Sequence, residues 1–121
     1  MSTAEATKAV IDRFNEAFNR HDVDAVMALM TDDVVFDNTT PPDGRRYEGQ
    51  EAVRAFWTGF FAGNPGAWFD TEDTIADGDR CVVQWRFTFD KEKSDSGHVR
   101  GVDVFRVRDE KVAEKLSYVK G

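Results

Sequence analysis

One cysteine and two histidines are all that the 121 residues offer to disulfide or transition-metal chemistry. Cys81 alone closes no internal disulfide, and His21 and His98 lie too far apart in the chain to suggest a structural zinc site. The expectation is therefore no metal and no organic cofactor. Basic residues are the next shortage: 16 Lys and Arg against 23 Asp and Glu leave a formal charge of -7, which argues against a grip on nucleic acid or on an anionic membrane surface. No apolar run approaches the roughly 18 residues a membrane span requires. Met1 is followed by polar, helix-forming residues instead of a basic and then apolar leader, so a soluble, unexported, cytoplasmic chain is expected. Repeats, linkers and low-complexity stretches are missing too, and the length predicts one domain over residues 1–121.

Aromatic residues are plentiful. Ten Phe, three Trp and two Tyr in so short a chain predict either a large core or an apolar cavity.

Ser2 and Glu5 have capping-box spacing, and Val10, Ile11, Phe14, Ala17 and Phe18 recur at helical intervals, which predicts an amphipathic helix over about residues 3 to 20. Asp22 is placed to cap a shorter helix carrying Val23, Val26, Met27 and Met30, ending near Thr31-Asp32-Asp33. From Val34 to Asn38 the pattern turns to period two, with Val34, Phe36 and Asn38 on one face. Pro41-Pro42 and Asp43-Gly44 make residues 39 to 46 an exposed loop that could border a pocket mouth. Val53, Phe56, Trp57 and Phe60 form the stripe of a third helix, ended by Gly63-Asn64-Pro65-Gly66. Four strands are then predicted: about Trp68 to Ala76, Arg80 to Asp90, His98 to Arg108 and Val112 to Val119. Turns fall at Asp77-Gly78 and Asp109-Glu110. Helices first and a meandering sheet afterwards make an α+β domain, for which a cone with an internal cavity is one solution.

Asp103 is in period with Val99, Phe105 and Val107, the more apolar face of its strand. A carboxyl entering such an interior is a candidate for proton transfer near neutrality, and the alternative is a structural carboxylate paired with Arg86 or Arg100. Asn38 offers an amide to a substrate oxygen, as oxyanion donors do, or else ends its strand as a turn residue. Phe14, Phe36, Phe56, Trp57, Trp85, Phe87 and Phe105 are the candidate lining of a substrate pocket, against the plainer reading of a solid core. His98 has parity opposite to Asp103 unless a bulge at Gly101 reverses it; His21 reads as a link between helices and Cys81 as a small core residue. The last strand stays open: a two-residue turn at Asp109-Glu110 sets Leu116 opposite Asp103, with Tyr118 on the same side, whereas one extra residue brings Lys115 and Ser117 inward.

The order of elements, the Asp32-Asp33-Val34-Val35-Phe36 entry to the first strand, the Tyr47-Glu48-Gly49 step and the Gly101-Val102-Asp103-Val104-Phe105-Arg106-Val107 strand together carry a family likeness. The chain resembles, over nearly its whole length, the SnoaL-like polyketide cyclase branch of the superfamily that includes nuclear transport factor 2 and the ketosteroid isomerases. The resemblance implies a cone-shaped, curved antiparallel sheet covered by three N-terminal helices. It implies less about function, since the superfamily holds isomerases, cyclases, epoxide hydrolases, dehydratases and proteins without catalysis. Where steroid isomerases carry a tyrosine donor on the first helix this chain has Phe14, and where they carry the proton-abstracting aspartate it has Asn38; only their second aspartate is matched, by Asp103. The epoxide hydrolases need a further carboxylate near the end of the last strand, where this chain reads Lys115-Leu116-Ser117-Tyr118. The cyclases, similar in using one pocket aspartate as acid and base, are nearest in kind.

The resemblance therefore implies a cofactor-independent enzyme using Asp103 and Asn38 in acid/base chemistry, as a cyclase, isomerase or dehydratase would, on an apolar, carbonyl-bearing substrate. A non-catalytic protein binding a small hydrophobic ligand, or a dimeric interaction module using the outer sheet face, are the alternatives. A homodimer is expected through Val82, Val102 and Val104, which make that face too apolar to be left wet.

Overall fold

The computed structural model describes residues 3–121, so Ser2 and its part in the capping box lie outside the described residues. Helix α1, Thr3–Asn19, buries Thr7, Val10, Ile11, Phe14, Ala17 and Phe18 along one stripe, as the 3.6-residue period requires. Asp22 caps α2, Val23–Ala28, by accepting the Ala25 N–H at 3.0 Å. That helix is shorter than its pattern predicts. Strand β1, Met30–Asp37, starts straight after it and takes in Thr31-Asp32-Asp33, because Met30 pairs with Val112 and the Val112 N–H donates to the Leu29 carbonyl at 2.7 Å. Backbone pairing from the far end of the chain here overrides a local stop signal.

A short strand β2, Arg46–Glu48, was absent from the sequence reading; it pairs antiparallel with the end of β1. The hairpin closes because Asn38 folds the intervening loop back on itself: its N–H donates to the Arg45 carbonyl at 3.0 Å. Helix α3, Gly49–Gly63, buries Val53, Trp57 and Phe61. Gln50 at its start fastens it to the α2–β1 junction, donating to the Met30 and Thr31 carbonyls at 3.0 and 3.1 Å.

The remaining strands are β3 (Trp68–Asp77), β4 (Arg80–Thr88), β5 (His98–Arg108) and β6 (Lys111–Val119). They complete a six-stranded sheet in the order β2-β1-β6-β5-β4-β3. The α+β class and the helix-covered sheet agree with expectation. One pair refines it: β1 runs parallel to β6, so the sheet is mixed. Helix α1 is fastened across the sheet at both ends, by Thr7 Oγ1 donating to the Gly78 carbonyl (2.7 Å) and by Asn19, whose amide exchanges two hydrogen bonds with the Phe69 backbone (2.8 and 2.9 Å). Asn19 thereby acts as one residue of an extra strand at the β3 edge. No described helix is long and apolar enough to cross a membrane.

Candidate functional site

The register of the β5–β6 hairpin places the polar groups of the interior. Asp109 and Glu110 both have positive φ, 54° and 61°, and join Arg108 to Lys111 in a two-residue turn of the mirror-image kind that right-handed strand twist favours. Carried along the ladder, that turn alone would face Leu116 and Tyr118 inward. Instead the pairing shifts between Arg106 and Val107: Val107 opposes Val112 while Arg106 opposes Glu114. Ala113 is the extra residue of a bulge, and Val112 and Ala113 are consecutive buried positions. A one-residue shift exchanges the faces of everything beyond it. Lys115 now stands opposite Phe105 and Ser117 opposite Asp103, inside the cone, and Tyr118 is 58% exposed on its outer face.

Asp103 is 5% and Lys115 6% exposed. Lys115 Nζ donates to Ser117 Oγ at 2.9 Å, Ser117 Oγ donates to Asp103 Oδ1 at 2.7 Å, and Nζ lies 3.4 Å from Asp103 Oδ2. The partner of Asp103 is thus a lysine; Arg100 pairs with Glu72 at 2.9 Å instead. Nζ also sits 4.8 Å from the ring centre of Phe36 and 5.4 Å from that of Trp57, where the faces of the rings attract a cation. Burial pulls the Lys115 ammonium below the ordinary lysine value, while the charge of Asp103 and its hydrogen bond act in the opposite direction.

These three side chains form one wall of a cavity of about 300 Å³, at the small end of the range of about 300–1,000 Å³ for ligand pockets. Phe36, Phe56, Trp57, Trp85 and Phe87 line it, joined by Phe18, Phe60, Phe69, Phe89 and Val99, with Asn38 and Thr39 from the β1–β2 loop. Phe18 is the hinge of the aromatic packing, set edge-on to Trp57, Phe61 and Phe69 at 5.0, 4.9 and 5.0 Å. Phe14 lies deeper, beside a void of about 20 Å³ that also reaches Asp103 and Lys115. Phe105 is fully buried and packs edge-on to Phe14 at 5.8 Å, in the solid core away from the cavity lining. The indole N–H groups of Trp57 and Trp85 are covered without a hydrogen-bond partner, at a cost of about 1–3 kcal/mol each.

Asn38 has its Oδ1 engaged by the loop, accepting from the Thr40 and Arg45 N–H groups at 3.0 and 2.8 Å. Its turn role is thus present in the fold, at a position that also borders the cavity. His98 is exposed, its Nε2 3.1 Å from Arg100 Nη1, because β4 and β5 pair from His98 to Arg106 without a bulge at Gly101. His21 has φ 56° and contacts the Ala67 carbonyl through Nε2 at 2.8 Å. Cys81 is buried and its thiol is pushed up to about 11, chiefly by that burial, so it is no nucleophile near neutrality.

The two groups that the sequence did not commit to the site are Lys115 and Ser117. Their only signal was the parity question at the last hairpin, and no local feature marks the bulge.

Comparison with known proteins agrees with this architecture. Residues 11–115 match the SnoaL-like domain family. A nuclear transport factor 2-like protein of unknown function from Mesorhizobium loti is 38% identical, with all of this chain and 96% of that one aligned at a TM-score of 0.84. A proposed ketosteroid isomerase from Kribbella flavida (21% identity, 100% and 82% covered, TM-score 0.81) shares the fold. So does a proposed polyketide cyclase from Xanthomonas campestris pv. campestris (23%, 98% and 93%, 0.73). No curated protein matches at a significant level. With the family pattern spanning residues 11–115 and a nuclear transport factor 2-like relative 38% identical over the whole chain, the chain belongs to the SnoaL-like domain family.

Proposed function

We propose that the chain is a cofactor-independent acid/base enzyme acting on a small, apolar, carbonyl-bearing substrate, with Asp103 as the group that moves the proton. The observation that supports this most is the convergence of Asp103, Lys115 and Ser117 on one wall of a largely aromatic cavity of about 300 Å³. A pocket that only stored a hydrophobic molecule gains nothing from a desolvated ion pair, whose burial is costly. In the proposed reaction the substrate lies flat against the aromatic wall, Asp103 takes a proton from carbon next to the carbonyl, and the enolate oxygen is held by Lys115 and by the Asn38 amide. Asp103 then returns the proton to the product. The volume suits a one- or two-ring compound.

Proton–deuterium exchange at the α-carbons of 2-tetralone, followed by NMR in D₂O, tests this without knowledge of the natural substrate. The expected result is exchange above the buffer rate that Asp103→Asn removes by at least about 100-fold, the lower end for a positioned acid/base group. Tetralone binding without exchange would replace the enzyme by a ligand-binding protein.

A homodimer is proposed through the outer sheet face. Ile75, Val82, Val104 and Leu116 pair in one row across four strands there, and Ile75 is 60% exposed in the single chain.

A further inference from the structure

The acid/base reading uses Lys115 as a hydrogen-bond donor, yet its amine has the surroundings of a nucleophile. Nζ lies over the adjoining rings of Phe36 and Trp57, at the edge of the cavity, on a side chain only 7% exposed. The contacts Nζ–H to Ser117 Oγ (2.9 Å) and Ser117 O–H to Asp103 Oδ1 (2.7 Å) form a continuous path from the ammonium to the carboxylate. A proton moving along it converts a buried ion pair into a neutral amine and a neutral acid, the change that an apolar setting favours. Asp103 and Lys115 are the only ionisable side chains among the residues lining the cavity. The exchange is thus internal to the pair, and no third charge competes for the proton.

We propose that Lys115 is a covalent site for carbonyl compounds, its amine condensing with the aldehyde or ketone of a flat one- or two-ring molecule held against Phe36 and Trp57. The inference rests on the cavity being a site for apolar carbonyl compounds, and goes beyond that reading by making the attachment a bond. The neutral Nζ forms the C–N bond with its lone pair while the C=O π pair moves to oxygen. The oxygen takes one proton from nitrogen by way of Asp103, giving a carbinolamine. It then takes a second and leaves as water while the nitrogen pair closes the C=N bond. Counted from the ion pair, ammonium plus carbonyl gives iminium plus water; both hydrogens of the water come from Nζ, and nothing is oxidised or reduced. Asp103 ends as it began, a carboxylate beside one positive charge, now the iminium. That iminium withdraws electrons from the neighbouring carbon more strongly than a neutral carbonyl does, and Asp103 is in place to remove its proton. Burial lowers the affinity of Lys115 for its proton, the direction that favours the free amine.

The test is reductive trapping of the whole chain with 2-naphthaldehyde and cyanoborohydride, followed by peptide mapping. Lys115 is expected to carry the naphthylmethyl group at least about tenfold faster than any of the exposed Lys8, Lys91, Lys93, Lys111 and Lys120. 2-Naphthalenemethanol, with the same rings and no carbonyl, is expected to slow that labelling. At saturating aldehyde, Ser117→Ala is expected to slow trapping about tenfold or more, and Ser117→Thr, which keeps the hydroxyl, to restore it. Label spread evenly over the lysines, or absent from Lys115 while naphthalenemethanol binds by tryptophan quenching, overturns the covalent site and leaves the acid/base reading standing. Failure of both compounds to bind overturns the two together.

Discussion

Lys115 and Asp103 give up water on folding and receive in exchange each other, one serine hydroxyl and two aromatic faces. Breaking such a pair from one side is costly, because the remaining charge has nowhere to go. Lys115→Met is expected to lower stability by about 3 kcal/mol in urea unfolding at neutral pH. The pH dependence follows from the direction of the Lys115 shift. Burial holds the folded-state value below the unfolded 10.5, so between the two the unfolded chain binds more protons, and stability rises with pH through that window. Cys81 acts oppositely: its thiol titrates near 9.0 unfolded and about 11 folded, so it lowers stability as pH rises between those values. Since Cys81 is common to both proteins, the difference in unfolding free energy between wild type and Lys115→Met isolates the lysine. That difference is expected to grow as pH rises toward 10.5; a flat difference would mean that Lys115 titrates as an ordinary lysine. Phe14 and Asn38 set a further expectation. With no hydroxyl at the first and no carboxylate at the second, Δ5-steroid isomerisation, followed by absorbance, should stay near the buffer rate.

The β5–β6 hairpin is the element on which the site depends. Its two-residue turn and the bulge at Ala113 together decide which side chains of β6 meet Asp103, and Gly101 lets the neighbouring strands close around that arrangement. A Cβ at Gly101 would come within 2.2 Å of the Tyr118 carbonyl oxygen and 2.6 Å of the Trp85 ring. Neither can yield without moving a strand or the cavity wall. Gly101→Ala is therefore expected to cost about 1–3 kcal/mol and to lower the melting temperature by several degrees. Gly59 is the internal comparison: it lies exposed in α3 with nothing near its missing Cβ, so Gly59→Ala should raise stability by about 0.5–1 kcal/mol. Both are read from thermal melts of the purified proteins.

Taken whole, the molecule covers one face of its sheet with helices and leaves the other bare. The bare face carries the Ile75-Val82-Val104-Leu116 row and, beside it, Val102 paired with Tyr118. Ion pairs border it, Arg100 with Glu72 and Arg106 with Glu114, in the pattern of an apolar centre with a polar rim. Sedimentation at tens of micromolar is expected to give about twice 13.7 kDa, and Val104→Lys, which puts a charge at the centre of the row, should return the monomer. A wild-type monomer under those conditions would remove the dimer.

Much of this was legible along the chain, because helical and strand periods are local. The stripe Val10-Ile11-Phe14-Phe18, the Asp22 cap and the inward parity of Asp103 each depend on neighbours within a turn or a strand, and each stands as the pattern indicated. Aromatic content likewise pointed to a large core or an apolar cavity, without deciding between them. Three features were out of reach: the parallel pairing of β1 with β6, the strand β2, and the inward turn of Lys115 and Ser117. The first is a contact between residues some eighty positions apart. The second is a strand of three residues, too short to carry a period. The third hangs on Ala113, whose side chain says nothing of a bulge. A single displaced residue in a ladder of period two exchanges the faces of all that follow, so the chemistry of the cavity wall was settled by long-range pairing and packing, after every local preference had been met.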